Sequence, residues 1–276
     1  MDASTSTEPD AGHRSQLHVS VSQVKQYLRC PRQYFLQRVR GVEPAFMPVA
    51  LAFGSAFHAA LSFFYGMIKA TGAAPPLDAT TEVFLDAWRN SSDGPLPLQA
   101  EDEESGVIDH EAKGTAMVAA FYDHAASSPV EVVAVERGFS VALHDPDTGV
   151  QLEETLVGAF DLVLRENDKH VVVEHKTSKR KFSSDQLRYD HQVTAYKRAA
   201  VQLGLGVVGV RFQVITKATR PAVQIVDVER DAQDEDDFMR TVVGVLRAID
   251  VGAFYPIRGW QCRGCQHAHA CGGGGR

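Results

Sequence analysis

Four cysteines stand at opposite ends of this chain, Cys30 near its start and Cys262, Cys265 and Cys271 within the last fifteen residues. A Cys-x-x-Cys pair converges two sulfurs on one ion because its span matches a metal's bite. Cys271 follows after five intervening residues and offers a third thiolate from the same short segment. A four-thiolate site then needs Cys30, the one cysteine left, and a ligand shared by all four closes the long loop between them. Thiolates are soft donors that suit zinc and iron–sulfur clusters alike, and in a zinc site His267 or His269 could replace Cys30. Disulfides are the weaker reading, because nothing points to an oxidising compartment. The polar start MDASTSTEPDAGHRSQ lacks an apolar signal core, and no run of about 18 apolar residues reads as a membrane span. A cytoplasmic location with no membrane partner is expected, with residues 1–16 as a disordered leader that has little to bury.

The rest of the chain, 17–276, reads as one domain. Hydrophobic residues make up 44% and charged residues 23%, enough apolar material for a core without covalent staples. The helical period dominates residues 17–128. Ser20-Val21-Ser22-Gln23 has the form of a capping box, and Pro31 begins a second turn that runs to about Val39. Further helices are expected over Val49–Lys69, apolar on nearly every face, then over Thr80–Trp88 and 106–126, with a mobile loop across 91–105.

From 129 to 230 the period changes. Val130–Leu143, Leu152–Arg165 and a run from Val171 read as an antiparallel meander, followed by a helix over Asp185–Leu203 and strands at 207–215 and 222–228. A last helix over 234–251 leads into the cysteine tail, residues 231–276. The fold class is therefore α/β, a mixed sheet flanked by helices with a helical N-terminal insertion.

Asp161 lies in the second strand, and Glu174 and Lys176 end the third. Strand residues two apart share a face, so Glu174 and Lys176 emerge together, His175 points away, and a hairpin can bring Asp161 beside them. Two carboxylates with an open position suit a hard cation, Mg2+ or Mn2+, which polarises a phosphate and acidifies water. The triplet Glu111-Ala112-Lys113 lacks that context: it falls on a helix, where residues two apart diverge. Gln192 and Tyr196 share a helix face four residues apart, and His58 is a polar residue in the apolar helix. Taken singly, each of these three reads as ordinary packing.

In order, Gly54-x-x-x-His58, Gly158-x-x-Asp161, Glu174-x-Lys176 and Gln192-x-x-x-Tyr196 resemble the RecB-type branch of the PD-(D/E)XK nuclease superfamily, over roughly Leu17 to Cys271. The resemblance implies a restriction-endonuclease-like core in which His58, Asp161 and Glu174 hold the metal. It makes Lys176 the catalytic lysine, and has Gln192 and Tyr196 support the site or touch the DNA strand. The proline of the family name is replaced by Phe160. Glu136 matches a weaker acidic position of the family, although it reads first as a surface strand residue. AddB-type nucleases and the small CRISPR-associated exonucleases are similar in the cysteines too, which implies a [4Fe–4S] cluster on Cys30, Cys262, Cys265 and Cys271.

The net charge of −7 disfavours a uniformly basic DNA surface but allows a basic cleft. Lys179, Arg180 and Lys181, with Arg188, are suited to phosphates beside the carboxylates, and Tyr34, Phe35 and Tyr189 to base stacking. The expected function is hydrolysis of single-stranded DNA or duplex ends, alone or with a helicase or a CRISPR integration complex. No Walker-type phosphate loop is present, so the chain is not itself a helicase. The rival class is a catalytically silent DNA-binding or assembly module of the same fold, with zinc in place of the cluster.

Overall fold

The computed structural model describes residues 18–99, 109–127, 129–206 and 209–272; the leader expected at 1–16 and residues 100–105 of the expected loop lie outside them. The elements are β1 (His18–Ser20), α1 (Val21–Arg29), α2 (Pro31–Tyr34, prolonged by a π-turn over Phe35–Val39), β2 (Met47–Pro48), α3 (Val49–Thr71), α4 (Leu77–Ser92), β3 (Leu98–Gln99) and α5 (His110–Ala126). They continue with β4 (Glu131–His144), β5 (Gln151–Glu166), β6 (Lys169–Ser178), α6 (Ser184–Arg188), α7 (His191–Gln202), β7 (Gly209–Thr216), β8 (Val223–Glu229) and α8 (Ala232–Asp250). β4, β5 and β6 form the expected antiparallel meander, β7 adds in parallel to β6, and β8 closes the edge antiparallel to β7.

The sheet is covered on both faces, as a mixed sheet requires. Phe160, Val172, Phe212 and Val214 face a cluster with Val24, Tyr196, Phe238 and Val242, from α1, α7 and α8. Leu162, Val173 and Ile215 face Phe53, Phe57, Phe64, Phe84 and Phe121, from α3, α4 and α5. By length and composition α3 alone among the described helices could cross a membrane. Here its stripe Phe53, Phe57, Ala60, Leu61 and Phe64 is buried at every position, which makes it a core helix.

Three details differ from the sequence reading. The helix expected over 185–203 is two helices, because Asp190 turns its carboxylate onto the Gln192 N–H (2.7 Å) and starts a new one, α7. Residues 91 and 92, expected in a loop, are the last turn of α4. β1 and the β2–β3 pair are two or three residues long, too short to show alternation in a sequence. The capping box at Ser20 is as expected: its hydroxyl accepts from Gln23 N, and Gln23 Oε1 accepts from Ser20 N.

Gly114 is where α5 crosses α4. A Cβ there would lie 1.9 Å from the Phe84 ring, which is wholly buried and has nowhere to retreat. Gly114→Ala is therefore expected to destabilise the fold by about 1–3 kcal/mol despite its gain in helix propensity. Gly66→Ala in α3, where nothing lies within 4 Å, is expected to be neutral or to stabilise by up to about 1 kcal/mol. Urea unfolding of both variants checks the contrast.

Candidate active site and cysteine site

The β5–β6 hairpin turns on Asn167 and Asp168, both with positive φ (48° and 61°), the conformation of a two-residue turn that matches strand twist. That turn fixes the register. The ladder pairs Glu166 with Lys169 and runs back to Leu162 with Val173, where it ends. The next residues on each strand are Asp161 and Glu174. Beyond this point β5 takes β1 as its neighbour instead, starting at Val157–Ser20. The strands therefore part at the two carboxylates and leave room between them.

β4 supplies a third acid. Its pairs Val135–Leu162 and Arg137–Phe160 flank Glu136, which stands opposite Asp161 with φ +47°. Such a backbone is costly for a residue with a Cβ and is held in place by its surroundings. Ser62 of α3 donates to the Glu136 carboxylate at 2.7 Å. Glu136 is exposed, as a surface strand residue should be, yet one carboxylate oxygen lies within 4.8 Å of ligand atoms of both His58 and Asp161. The signal that places it there is hairpin arithmetic.

His58 reaches the row from α3. Its Nε2 lies 2.9 Å from the carbonyl of His175, an atom that can only accept, so Nε2 carries the proton. Nδ1 then presents its lone pair toward Asp161 Oδ2, 3.6 Å away. Burial lowers the His58 pKa, against the opposing pull of Glu174, and keeps the ring neutral. The His175 N–H donates to Asp161 Oδ2 at 2.8 Å. The His175 side chain points to the other face, fully buried and stacked on Tyr65 at 5.6 Å, as alternation requires.

Glu174 is 2% exposed, with one oxygen ion-paired to Lys176 and the other, Oε2, buried without a partner. From Lys176 a chain of hydrogen bonds runs back into the core. Nζ donates to Gln192 Oε1 (3.2 Å), Gln192 Nε2 to Tyr196 Oη (2.9 Å), and Tyr196 Oη to the Ala159 carbonyl (2.5 Å). Gln192 and Tyr196 are thus spent on holding Lys176. Asp190 backs them: burial opposes its charge, but Lys25 at 2.7 Å and the Gln192 N–H hold its pKa below the ordinary carboxylate value. The Lys25–Asp190 pair links sequence positions 165 residues apart, and no local pattern announces it.

The expected ligands are therefore only partly gathered. His58 and Asp161 meet, Glu136 completes the group, and Glu174 stands beside it facing Lys176. The donor set, three carboxylates and one neutral imidazole with an orphaned oxygen among them, fits a hard divalent cation. Lys179, Arg180, Lys181 and Arg188 are all exposed past the end of β6. Tyr189 is 73% exposed with Arg188 over its ring, whereas Tyr34 and Phe35 pack on Phe254.

At the other end of α1 the two ends of the described chain meet. Arg32 N donates to Tyr255 O (3.1 Å), and Ala45 N to Gln266 O (2.9 Å). Cys30, Cys262, Cys265 and Cys271 line one cavity of about 230 Å³, and neither His267 nor His269 lines it. Burial raises the Cys265 pKa, the His267 N–H opposes it, and the other three thiols add to the rise.

The sequence profile of the PD-(D/E)XK nuclease superfamily matches residues 18–272. The chain belongs to that superfamily. Among solved structures it is similar to a Eubacterium rectale protein named "Putative exonuclease", at 15% identity and TM-score 0.52, over 95% of this chain and 93% of that one. A structure of SSO0001 aligns at 13% identity and TM-score 0.44, over 94% and 87%. No curated protein sequence matches significantly.

Burial, and then the charge of Glu174, raise the Asp161 pKa well above its ordinary 3.8, although the His175 N–H opposes them. A carboxyl that binds its proton more tightly folded than unfolded makes the cation-free protein less stable as pH rises through that interval. Saturating Mn2+ is expected to flatten this slope, and its affinity to climb with pH as about one proton is released per ion. Calorimetry in buffers of differing ionisation enthalpy measures the release; none at any pH would mean that Asp161 is already ionised.

Proposed function

We propose that this chain is a metal-dependent deoxyribonuclease of the RecB/AddB-like branch, acting as an exonuclease on single-stranded DNA or duplex ends. The observation that carries this is the row Glu136, Asp161 and Glu174 across three adjacent strands, with a neutral His58 on one side and Lys176 on the other. His58, Asp161 and Glu136 would hold a divalent cation with Glu174 in reach. When bound, it would supply charge against the phosphate and a more acidic water. The imidazole favours Mn2+ over Mg2+, which prefers oxygen alone.

Lys176 keeps its proton. Burial works against its charge, but Glu174 beside it, with Asp161 and Asp190 adding to the pull, raises its pKa on balance. An ammonium pinned by Gln192 can donate to a phosphate oxygen and offset the charge that builds during displacement. Lys179, Arg180 and Lys181 lie three to five residues beyond it and suit the neighbouring phosphates. Such an activity serves repair, recombination or CRISPR adaptation in the cytoplasm, either alone or joined to a helicase or an integration complex.

The reading includes a structural [4Fe–4S] cluster on Cys30, Cys262, Cys265 and Cys271. What supports it is that the four thiols line one cavity of about 230 Å³ to which neither His267 nor His269 contributes, an all-thiolate set that suits iron–sulfur.

With Mn2+ and labelled single-stranded DNA, Asp161→Ala is expected to lower the cleavage rate at least about a hundredfold, the loss of a few kcal/mol of charge stabilisation. Equal digestion by both proteins would sink the hydrolytic assignment and favour the silent module. Protein made in iron-replete, anaerobic culture is expected to be brown, with broad visible absorption that Cys262→Ser abolishes. A colourless protein holding one zinc would replace the cluster in this reading.

A further inference from the structure

The charge of this chain is unevenly spread. Residues 18–46 carry five Lys or Arg and one acid, Glu43, and residues 251–272 carry two arginines and no acid, in a protein of net charge −7. These two segments are the ones that pack together around the cysteine cavity: Tyr27 Oη donates to the Ala253 carbonyl, and Phe254 lies against Tyr34 and Phe35. The cysteine-bearing end is thus a second basic region, apart from the Lys179–Lys181 segment beside the carboxylate row.

Two exposed aromatic rings stand along α1, each with an arginine over it. Tyr189, 73% exposed with Arg188 at 5.8 Å from its ring centre, directly precedes the Asp190 that pairs with Lys25 at the middle of the helix. At the C-terminal end is Trp260, 81% exposed even with Arg29 at 5.6 Å. Between them Lys25 and Arg29 are one helical turn apart on the same face of α1, about 6 Å along its axis. Lys25 meets Asp190 next to Gln192 and so marks the metal end of this line; Arg29 precedes Cys30 and marks the cluster end. Tyr255, in the same tail, is a further exposed ring at 59%.

A positive surface interleaved with open rings is complementary to a polyanion with unpaired bases. We propose that Trp260 and Arg29 form a base-stacking subsite for single-stranded DNA on the cysteine-bearing module. The strand then runs along α1, past Lys25 and Tyr189, to Lys176. The proposal rests on the nuclease reading above. Trp260 stacks on a base, Arg29 meets the adjoining phosphate, and the α1 face sets the spacing from there to the carboxylates.

The test uses the full-length protein with Ca2+, which permits binding without cleavage, and fluorescein-labelled oligothymidylates read by anisotropy. One oligonucleotide is too short to reach beyond the metal pocket, and the other is long enough to reach from Lys176 to Trp260. Trp260→Ala is expected to weaken the long one by about tenfold, the size of one lost base stack, and to leave the short one unchanged. Trp260→Phe, which keeps a stacking face, is expected to recover most of the loss. Arg29→Gln is expected to reduce the salt slope for the long strand by about 0.7, one phosphate contact. Ultraviolet crosslinking of a bromodeoxyuridine strand is expected to map to the peptide holding Trp260. Unchanged affinity of Trp260→Ala for the long strand, with Mn2+-dependent cleavage intact, overturns this inference and leaves the nuclease reading standing. An equal loss on blunt duplex, or a Trp260 effect confined to oligouridylate, also overturns it. No binding and no cleavage by the unaltered protein overturns both.

Discussion

The pairing of β5 with β6 is the constraint on which the rest of the site depends. Strand side chains alternate faces, so a slip of one residue would turn Glu174 and Lys176 into the phenylalanine-lined core of α3 and bring His175 to the carboxylates. Two things prevent it. The Asn167-Asp168 turn permits one closure, and Val172 and Val173 are each matched to an opposite core, one on α7 and one on α3. The hydrophobic pattern that folds the sheet is therefore the same pattern that aims the acids. The ladder ends where the acids begin, and β1 takes over the edge of β5 past the gap. The pocket is made by where pairing stops.

That arrangement gathers negative charge where water is scarce. Glu174 is almost fully buried, Asp161 nearly so, and Glu136 leans in from a strained backbone. The chain offsets part of this with the His175 N–H on Asp161, the Ser62 hydroxyl on Glu136 and the ammonium of Lys176 on Glu174. One Glu174 oxygen remains unpaired, and the Asp161 pKa stays high. Buried polar atoms in folded proteins are nearly always satisfied, so a cluster of acids left short of positive charge is a candidate site for a divalent cation. His175 acts here through its backbone: its N–H and C=O fix Asp161 and His58, while its own ring is locked out of reach beneath Tyr65.

Much of this was legible in the residues. The capping box at Ser20, the meander, the hairpin that joins Asp161 to Glu174, and the outward turn of His175 follow from local chemistry and period. Glu136 was harder, because its position depends on counting across a second hairpin with an irregularity between Ala142 and His144, which shifts which residues oppose each other. The break at Asp190 was hidden because helical periodicity continues through it; only the carboxylate's choice of the Gln192 N–H ends one helix and starts the next. Tyr34 and Phe35 suited stacking by type, but their rings are taken by Phe254 from the far end of the chain. Contacts of that range leave no trace in a window of sequence.

The cysteines and the carboxylates lie at opposite ends of α1, which ties them into one mechanical unit. It leaves β1, which borders the gap beside Asp161, and its last residue, Arg29, directly precedes Cys30. Midway, Lys25 grips Asp190, which caps α7, and α7 carries the Gln192 and Tyr196 that hold Lys176. A ligand that closed this loop of more than two hundred residues at Cys30 would narrow what the unfolded chain can do. A ligand on the four thiols would therefore steady Lys176 through four side chains and two helices, without approaching it.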